Sequence, residues 1–256
     1  MKKIVHVILF TAIAFSSNAQ FETNLSYSMA IPLREMGENI NLTHSAVADI
    51  RYHFKNSTNW LWVGTEYGIG VYAVKNQKQL YQFSNGSTTE AKVNFTSNVF
   101  NAHAIVGADL MPGKPITPYF VAKAGISNFF TTVYVADPND PDGCKPLENR
   151  NVFKDLTWSA ATGAGVKIAM NKIFKKSKSD HWWFDFSTNY LFGGTVSYLN
   201  VKHLQKVDDN TTPDPKGFNL SFLNIQTNEI HEHQVAEIFS SAVSQLDLKL
   251  GMLVRL

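Results

Sequence analysis

The residues whose types and spacing could do chemistry are few, and most of them are histidines. The densest group is Glu229-Ile230-His231-Glu232-His233. His231 and His233 would share one face of a strand, and zinc accepts imidazole ligands. No third ligand stands at a suitable spacing, so we interpret the group as a solvated loop and predict no metal site, with these two histidines as weak candidates.

Two further histidines are candidates for a catalytic base. His44 is followed by Ser45, and His103 stands among residues that alternate between polar and apolar. A serine nucleophile needs a neighbouring base and a third group that orients that base, and no such motif surrounds either histidine. Cys144, the single cysteine, has no internal disulfide partner. We therefore predict no catalytic residue and no cofactor.

Composition and the N-terminus indicate a compartment. A formal net charge of +2, without a long basic run, argues against a nucleic acid partner. Two lysines precede the uncharged run 4–15, and the step Ser17-Asn18-Ala19 follows it. This is the pattern of a secretory signal peptide that is cleaved after Ala19. The expected organisation is a signal peptide, 1–19, and one β-domain, 20–256.

Alternation of apolar and polar residues is the dominant pattern of the mature chain. It is clearest at 246–256, where every even position is apolar and the odd positions include Asp247, Lys249 and Arg255. A period of two predicts a strand with one apolar and one polar face. The same alternation recurs in seven earlier segments: 21–33, 41–54, 60–74, 92–110, 116–135, 157–170 and 181–199.

The connections between these segments favour a membrane barrel over a soluble sandwich. Short turns alternate with longer loops, the long ones expected at 75–91, 136–156 and 200–240. Outer-membrane barrels have short periplasmic turns and longer extracellular loops, with both termini periplasmic. The expected fold class is all-β, an antiparallel up-and-down transmembrane β-barrel of about eight strands. The alternating segment 218–222 leaves ten strands as an alternative.

Aromatic residues near the strand ends fit the girdles that such barrels place at the two membrane interfaces. The residues assigned to these girdles are Tyr52, Phe54, Trp60, Trp62, Trp158, Trp182, Trp183 and Tyr198.

Charged residues within the strands fall almost wholly on the face opposite the apolar one. The two signs nearly balance, as a closed interior requires, because an unpaired buried charge costs roughly several kcal/mol. Glycines on the same face leave room for the longer side chains. The predicted barrel-interior charge network consists of Glu22, Asp49, Arg51, Glu66, Asp109, Lys123, Lys167, Asp185, Asp247, Lys249 and Arg255.

The end of the chain carries a resemblance to a family. Lys249, Gly251, Val254 and Leu256 resemble the C-terminal assembly signal of bacterial outer-membrane proteins, with leucine where an aromatic residue is usual. Together with the signal peptide and the strand layout, this pattern resembles the small outer-membrane barrels of the Bacteroidota, similar to PorT-like and OmpA/OmpX-like proteins. The resemblance implies an eight-stranded barrel in the outer membrane, in contact with lipid and lipopolysaccharide and inserted by the barrel-assembly machinery.

The expected function is a structural or interaction role, in which extracellular loops contact an envelope protein, a secretion-system protein or a surface ligand. Two alternatives stay open. One is a narrow, porin-like pore or transport barrel, although eight strands leave an interior just wide enough for side chains. The other is a lipid A-modifying or proteolytic outer-membrane enzyme, in which His44 or His103 would act as the base.

Overall fold

Strands make up nearly all of the described chain. The computed structural model describes residues 21–82, 88–135, 148–174, 181–199, 217–224 and 229–255. In chain order the elements are β1 (Phe21–Pro32), α1 (Arg34–Asn39), β2 (Thr43–His53), a 3-10 turn (Asn56–Thr58), β3 (Leu61–Gln82), β4 (Thr88–Asp109), β5 (Ile116–Val135), β6 (Glu148–Ala169), α2 (Met170–Ile173), β7 (Trp182–Leu199), β8 (Gly217–Asn224) and β9 (Glu229–Arg255).

Eight of these strands close into a ring. Each pairs antiparallel with its neighbours in the order β1-β2-β3-β4-β5-β6-β7-β9, and β9 pairs back onto β1. The expected closed, eight-stranded antiparallel barrel is therefore confirmed. β8 pairs only with Glu229–Glu237 of β9, so the segment 218–222 forms a hairpin strand and does not enlarge the ring.

Neighbouring strands are staggered, and the strands are therefore tilted against the barrel axis. The stagger is measured by starting at Thr23 on β1 and moving from each residue to its paired residue on the next strand around the ring. This path arrives at Phe192 on β7 and then at Ser244 on β9. Ser244 leads back to Leu33, the residue after β1, whose amide donates to the Ser244 carbonyl oxygen. Leu33 is ten positions further along the chain than Thr23, where the path began. In a ring of eight strands, a stagger of this size corresponds to a tilt of roughly 40°.

The two ends of the barrel differ in their connections. We call the end that holds Phe21 and Arg255 the lower rim, and the opposite end the upper rim. At the lower rim the strands are joined through 54–60, 110–115 and 170–181. Towards the upper rim, β3 and β4 stay paired with each other well beyond the last residues that pair β2 with β3. β5 and β6 form a second long hairpin, paired as far as Val135 and Glu148.

Much of the sequence that was predicted to be loop is strand. The strand residues within the expected loops 75–91, 136–156 and 200–240 are 75–82, 88–91, 148–156, 217–224 and 229–240. Strand pairing at 218–222, and an upward extension of the final strand at 229–243 as an alternative to a short helix, were both considered from the sequence. The stretches 75–82, 88–91 and 148–156 were missed because the prediction relied on apolar alternation, whereas the backbone ladder continues without it once the strands below are paired. Arg34–Asn39, predicted as a simple connection, forms the helix α1.

Candidate functional site: the barrel wall and its sealed interior

The outer face of the lower barrel is apolar around the whole ring. On β5 it runs from Ile116, 55% exposed, through Phe120, 57%, to Ile126, 42%. At ~3.3 Å per residue and a tilt of roughly 40°, this span measures about 25 Å along the barrel axis. We call this surface the outer belt. It includes Leu25, Tyr27, Ile50, Val63, Tyr67, Ile69, Val106, Phe120, Ile126, Trp158, Phe186, Phe192, Leu248, Leu250 and Met252.

Above the outer belt the interior of the wall becomes apolar and its outer face becomes mixed. Beyond Ile126 on β5, the outward positions alternate between polar and aromatic residues, Asn128, Phe130, Thr132 and Tyr134, while the inward Phe129 and Val133 are only 1% and 2% exposed. β4 follows the same rule, with Phe95 and Val99 buried inside and Asn94, Thr96 and Asn98 facing out. The lower wall is thus apolar outside and charged inside, and the upper wall carries both polar and apolar side chains outside, among them the exposed Val74 and Leu156, over a largely apolar interior.

An apolar cluster fills the upper interior, and we call it the apolar plug. Its aromatic rings pack in series, with ring centroids 5.9 Å apart for Tyr72 and Phe129 and 6.2 Å apart for Phe129 and Tyr198. The plug consists of Met36, Ile40, Tyr72, Val99, Phe129, Ala161, Leu191, Val196, Tyr198 and Val243.

The connection between β1 and β2 contributes two of these residues. α1 folds inward over the ring, so that Met36 is 0% and Ile40 is 1% exposed. Gln245 of β9 donates from Nε2 to the Met36 sulfur at 3.5 Å. The helix therefore closes the upper end of the barrel with its own side chains.

Below the plug, the interior contains the predicted charged residues. Nine of the eleven are buried, and Asp247 and Arg255 are half-buried. The structure groups most of them into three ion-paired layers, which we describe from the lower rim upward.

The lowest layer is built on Glu22. Its carboxylate accepts from Arg255 Nη2 at 2.5 Å, and it lies 3.3 Å from Lys167 Nζ and 2.9 Å from His53 Nε2. Lys167 also donates to Asp109 at 2.7 Å. This layer closes the interior at the lower rim.

The middle layer is built on Arg51. The guanidinium pairs with Asp49 at 2.7 Å and with Asp185 at 2.6 Å. It also lies over the Trp62 ring, 4.9 Å from the ring centroid. Tyr119 donates its hydroxyl to Asp185 at 2.6 Å. Both charge and aromatic contact stabilise a cation that is fully enclosed.

The upper layer is built on Glu66, which accepts from two lysines. Lys123 Nζ lies 2.9 Å and 2.7 Å from its two carboxylate oxygens, and Lys249 donates to one of the same oxygens. A cavity of about 20 Å³ adjoins these groups and is also lined by Asp247 and His103. That volume holds about one water molecule.

His103 lies in an arrangement that resembles a catalytic triad, but it is buried. Its Nε2 is 2.8 Å from Ser159 Oγ, and its Nδ1 is 3.9 Å from a Glu66 oxygen. Ser127 donates to Ser159 at 2.8 Å. His103 is 5% and Ser159 is 1% exposed. Their hydrogen bonds join β4, β5 and β6 inside the ring, between the upper ionic layer and the apolar plug.

His44 and Ser45 cannot act as a pair, because neighbouring residues of a strand point to opposite faces. His44 lies on the outer face, where its Nδ1 is 2.5 Å from the Tyr27 hydroxyl. Ser45 lies on the inner face, against Gly70 of β3.

The remaining sequence-predicted sites are placed only in part. His231 and His233 belong to β9, paired with Phe222 and Leu220 of β8, and their side chains lie outside the described residues. In the part of the chain that is described, no three His, Cys, Asp or Glu side chains are grouped to hold a metal ion. Segment 1–20 and Cys144 lie outside the described residues, and so does Leu256 of the proposed assembly signal.

The aromatic girdle prediction was wrong for Trp62, Trp183 and Tyr198, which are buried inside the barrel. Three other residues assigned to the girdles, Trp60, Trp158 and Trp182, are exposed, at 44%, 57% and 41%. The sequence could have predicted the inward position of Trp62 and Trp183. Trp62 is four residues before Glu66 on one strand and Trp183 is two residues before Asp185 on another, and residues an even number apart share a face of a strand.

Two inner-face glycines make room for aromatic rings as well as for charges. A Cβ at Gly107 would overlap the Trp62 ring, and a Cβ at Gly165 would overlap the Tyr119 ring. These two aromatic rings enclose Arg51. The inner glycines therefore shape the aromatic packing around the middle ionic layer.

Comparisons with known proteins give only distant likenesses. No protein-family model matches the chain, and no curated protein matches it. Among the described residues, no helix has the length and apolarity needed to cross a bilayer.

Three of the solved structures that resemble the chain are 7–12% identical to it. Neisserial surface protein A is 12% identical, covers 94% of this chain and 98% of its own, and has a TM-score of 0.38. Ail of Yersinia pestis, solved with the heparin analogue sucrose octasulfate, is 11% identical, with 93% and 97% covered and a TM-score of 0.33. The outer membrane protease OmpT of Escherichia coli is 7% identical, with 93% and 96% covered and a TM-score of 0.37. These likenesses are too distant to assign a function or a location to this chain.

Proposed function

We propose that this chain is a bacterial outer-membrane β-barrel with a structural or interaction role. The observation that carries the proposal is the reversed polarity of the lower wall. A water-soluble protein buries apolar side chains throughout, whereas the lower barrel exposes a continuous apolar belt and encloses its charges. Monomers in water rarely expose apolar patches larger than roughly a few hundred Å². Above the belt, polar residues return to part of the outer face and the interior becomes largely apolar.

The dimensions of the belt support a bilayer as its partner. Its height of about 25 Å equals the apolar band that outer-membrane barrels present to lipid. Because no backbone donor or acceptor can stay unpaired in hydrocarbon, only helices and closed barrels span membranes. The ring is closed at the level of the belt, which satisfies that requirement.

We infer that both termini are periplasmic and that the upper rim faces outward. The connections at the lower rim are short, whereas the β3–β4 and β5–β6 hairpins extend far beyond the belt. This asymmetry is that of outer-membrane barrels. The extended hairpins would contact lipopolysaccharide, an envelope protein or a secretion-system protein, and Lys249, Gly251, Val254 and Leu256 would address the chain to the assembly machinery.

A pore and an enzyme receive less support than this role. Three ionic layers and the apolar plug fill the interior in series, so we expect no conductance. His103 and Ser159 are enclosed between them, so we expect no hydrolytic or acyl-transfer activity from that pair.

The test is reconstitution of the mature chain. We expect the chain to need detergent or lipid to stay in solution and to insert into vesicles, where lipids with brominated acyl chains quench the fluorescence of Trp158, Trp60 and Trp182. In planar bilayers we expect no open-channel current. A compact monomer in buffer without surfactant would refute the membrane assignment, and a stable single-channel current would refute the sealed interior.

A further inference from the structure

The lower rim presents an unbalanced set of positive charges. Each of its three connections contains an exposed lysine: Lys55 after β2, Lys114 between β4 and β5, and Lys172 within α2. The carboxylates nearest to this end, Glu22 and Asp109, are buried and engaged by Lys167. We call the three exposed lysines the basic rim.

No described side chain neutralises the basic rim. In the part of the chain that the structure describes, the connections of the lower rim hold no exposed carboxylate, and none of the three ammonium groups has an ion-pair partner. At the upper rim, by contrast, Arg34 and Lys154 lie near the acidic residues Glu35, Glu38 and Asp155 in sequence. The excess of positive charge is therefore a property of the lower rim.

Each rim lysine lies within five residues of an exposed apolar side chain on the same connection. Trp60, 44% exposed, follows Lys55 on its turn, and Met111, 55% exposed, precedes Lys114. Phe174, 52% exposed, lies two residues after Lys172. An ammonium group next to apolar and aromatic surface is the arrangement that places lysine at the headgroup level, with its stem along the acyl boundary.

The turns hold the lysine backbones in place. Thr117 donates its hydroxyl to the Lys114 carbonyl oxygen at 2.8 Å, and Thr58 donates to that of Lys55 at 3.0 Å. Gly113, with a φ of 77°, permits the tight turn that precedes Lys114. The positions of the charges are thus built into the fold.

We propose that the basic rim binds the phosphates of anionic phospholipid headgroups in the leaflet that the lower rim faces. The proposal rests on the membrane assignment made above and adds a lipid preference to it. A lysine near an anionic surface contributes roughly 1 kcal/mol, and this corresponds to about a fivefold preference for each lysine that is engaged.

The experiment measures that preference in vesicles of phosphatidylcholine and phosphatidylglycerol. All proteins carry Trp158→Phe, which leaves Trp60 and Trp182 near the lower rim as the exposed tryptophans of the described chain. In one set of vesicles the phosphatidylcholine has brominated acyl chains, and in a second set the phosphatidylglycerol does. The ratio of tryptophan quenching in the two sets gives the preference of the protein for one headgroup over the other. The test variant is Lys55→Gln with Lys114→Gln and Lys172→Gln. The matched control replaces Arg34, Lys75 and Lys154 by Gln, which removes the same charge from the upper half.

We expect phosphatidylglycerol to be preferred about fivefold or more in the parent protein and in the upper control. The preference should fall severalfold in the lower-rim variant and weaken for the parent in roughly 0.5 M salt, because salt screens exposed charges. Equal quenching by both lipids in the parent, or a preference that is unchanged in the lower-rim variant, would overturn the basic-rim proposal. Absence of quenching by either lipid would instead overturn the membrane assignment.

Discussion

The upper ionic layer offers the sharpest test of the barrel interior. Glu66 is the shared acceptor of two lysines, and its side chain is 10% exposed, against 4% for Lys123 and 6% for Lys249. Glu66→Gln keeps the shape of the side chain and removes its charge. The variant therefore leaves two enclosed ammonium groups facing a neutral amide.

The expected cost follows from the geometry. Two ammonium groups that share one oxygen lie on the order of 4 Å apart, and at an effective dielectric constant of about 20 their repulsion is roughly 4 kcal/mol. Removal of one partner from a buried ion pair costs about 3–5 kcal/mol in other proteins. Asp247, which lines the same cavity, offsets part of this repulsion. We therefore expect Glu66→Gln to lower the free energy of unfolding by about 3 kcal/mol.

Equilibrium unfolding in urea, from lipid vesicles and followed by tryptophan fluorescence, measures this loss. Lys123→Met should destabilise the protein by itself, and it should relieve part of the cost of Glu66→Gln, giving a coupling energy of roughly 1–3 kcal/mol. Lys154→Gln, on the exposed wall of β6, is the control and should change stability by less than about 0.5 kcal/mol. A loss below about 1 kcal/mol for Glu66→Gln, or additive losses in the double variant, would refute the ion-paired interior.

Four further variants test the wall, the glycine packing and the plug by the same unfolding assay. Ala122→Arg places a charge at mid-height of the outer belt and should cost about 2–4 kcal/mol, whereas Thr132→Arg, above the belt, should be nearly neutral; equal costs would contradict the assignment of the belt to lipid. Gly107→Ala forces a methyl group against the Trp62 ring and should cost about 1–3 kcal/mol, and an unchanged stability would show that the ring has room to move. Met36→Ala opens a cavity in the plug and should cost about 2–5 kcal/mol, so a neutral result would mean that α1 does not seal the barrel.

The strand pattern of the lower barrel was readable from the sequence because the inner and outer faces differ so strongly in polarity. In 246–256, the alternation by itself assigns Leu248 and Leu250 to one face and Lys249 to the other, and the structure agrees. The pattern failed towards the upper rim, at 75–82 and 88–91, because polar residues there continue a ladder without alternating. It also failed for Trp62. This residue was assigned to the outer girdle because it is aromatic, although its place in the alternation puts it on the inner face.

The candidate site, too, was determined partly by the sequence and partly by the tertiary structure. The sequence by itself determined the lower strands and which of their charged residues face inward, since a period of two is a local property that ten residues suffice to express. Only the tertiary structure decided which charges meet: Arg51 pairs with Asp185, 134 positions away, and Lys123 with Glu66, 57 positions away. It also placed α1 in the upper opening and assembled the apolar interior above the belt. These outcomes depend on closure of the ring and on the stagger between strands, which are set by all eight strands together and are not encoded in any one of them.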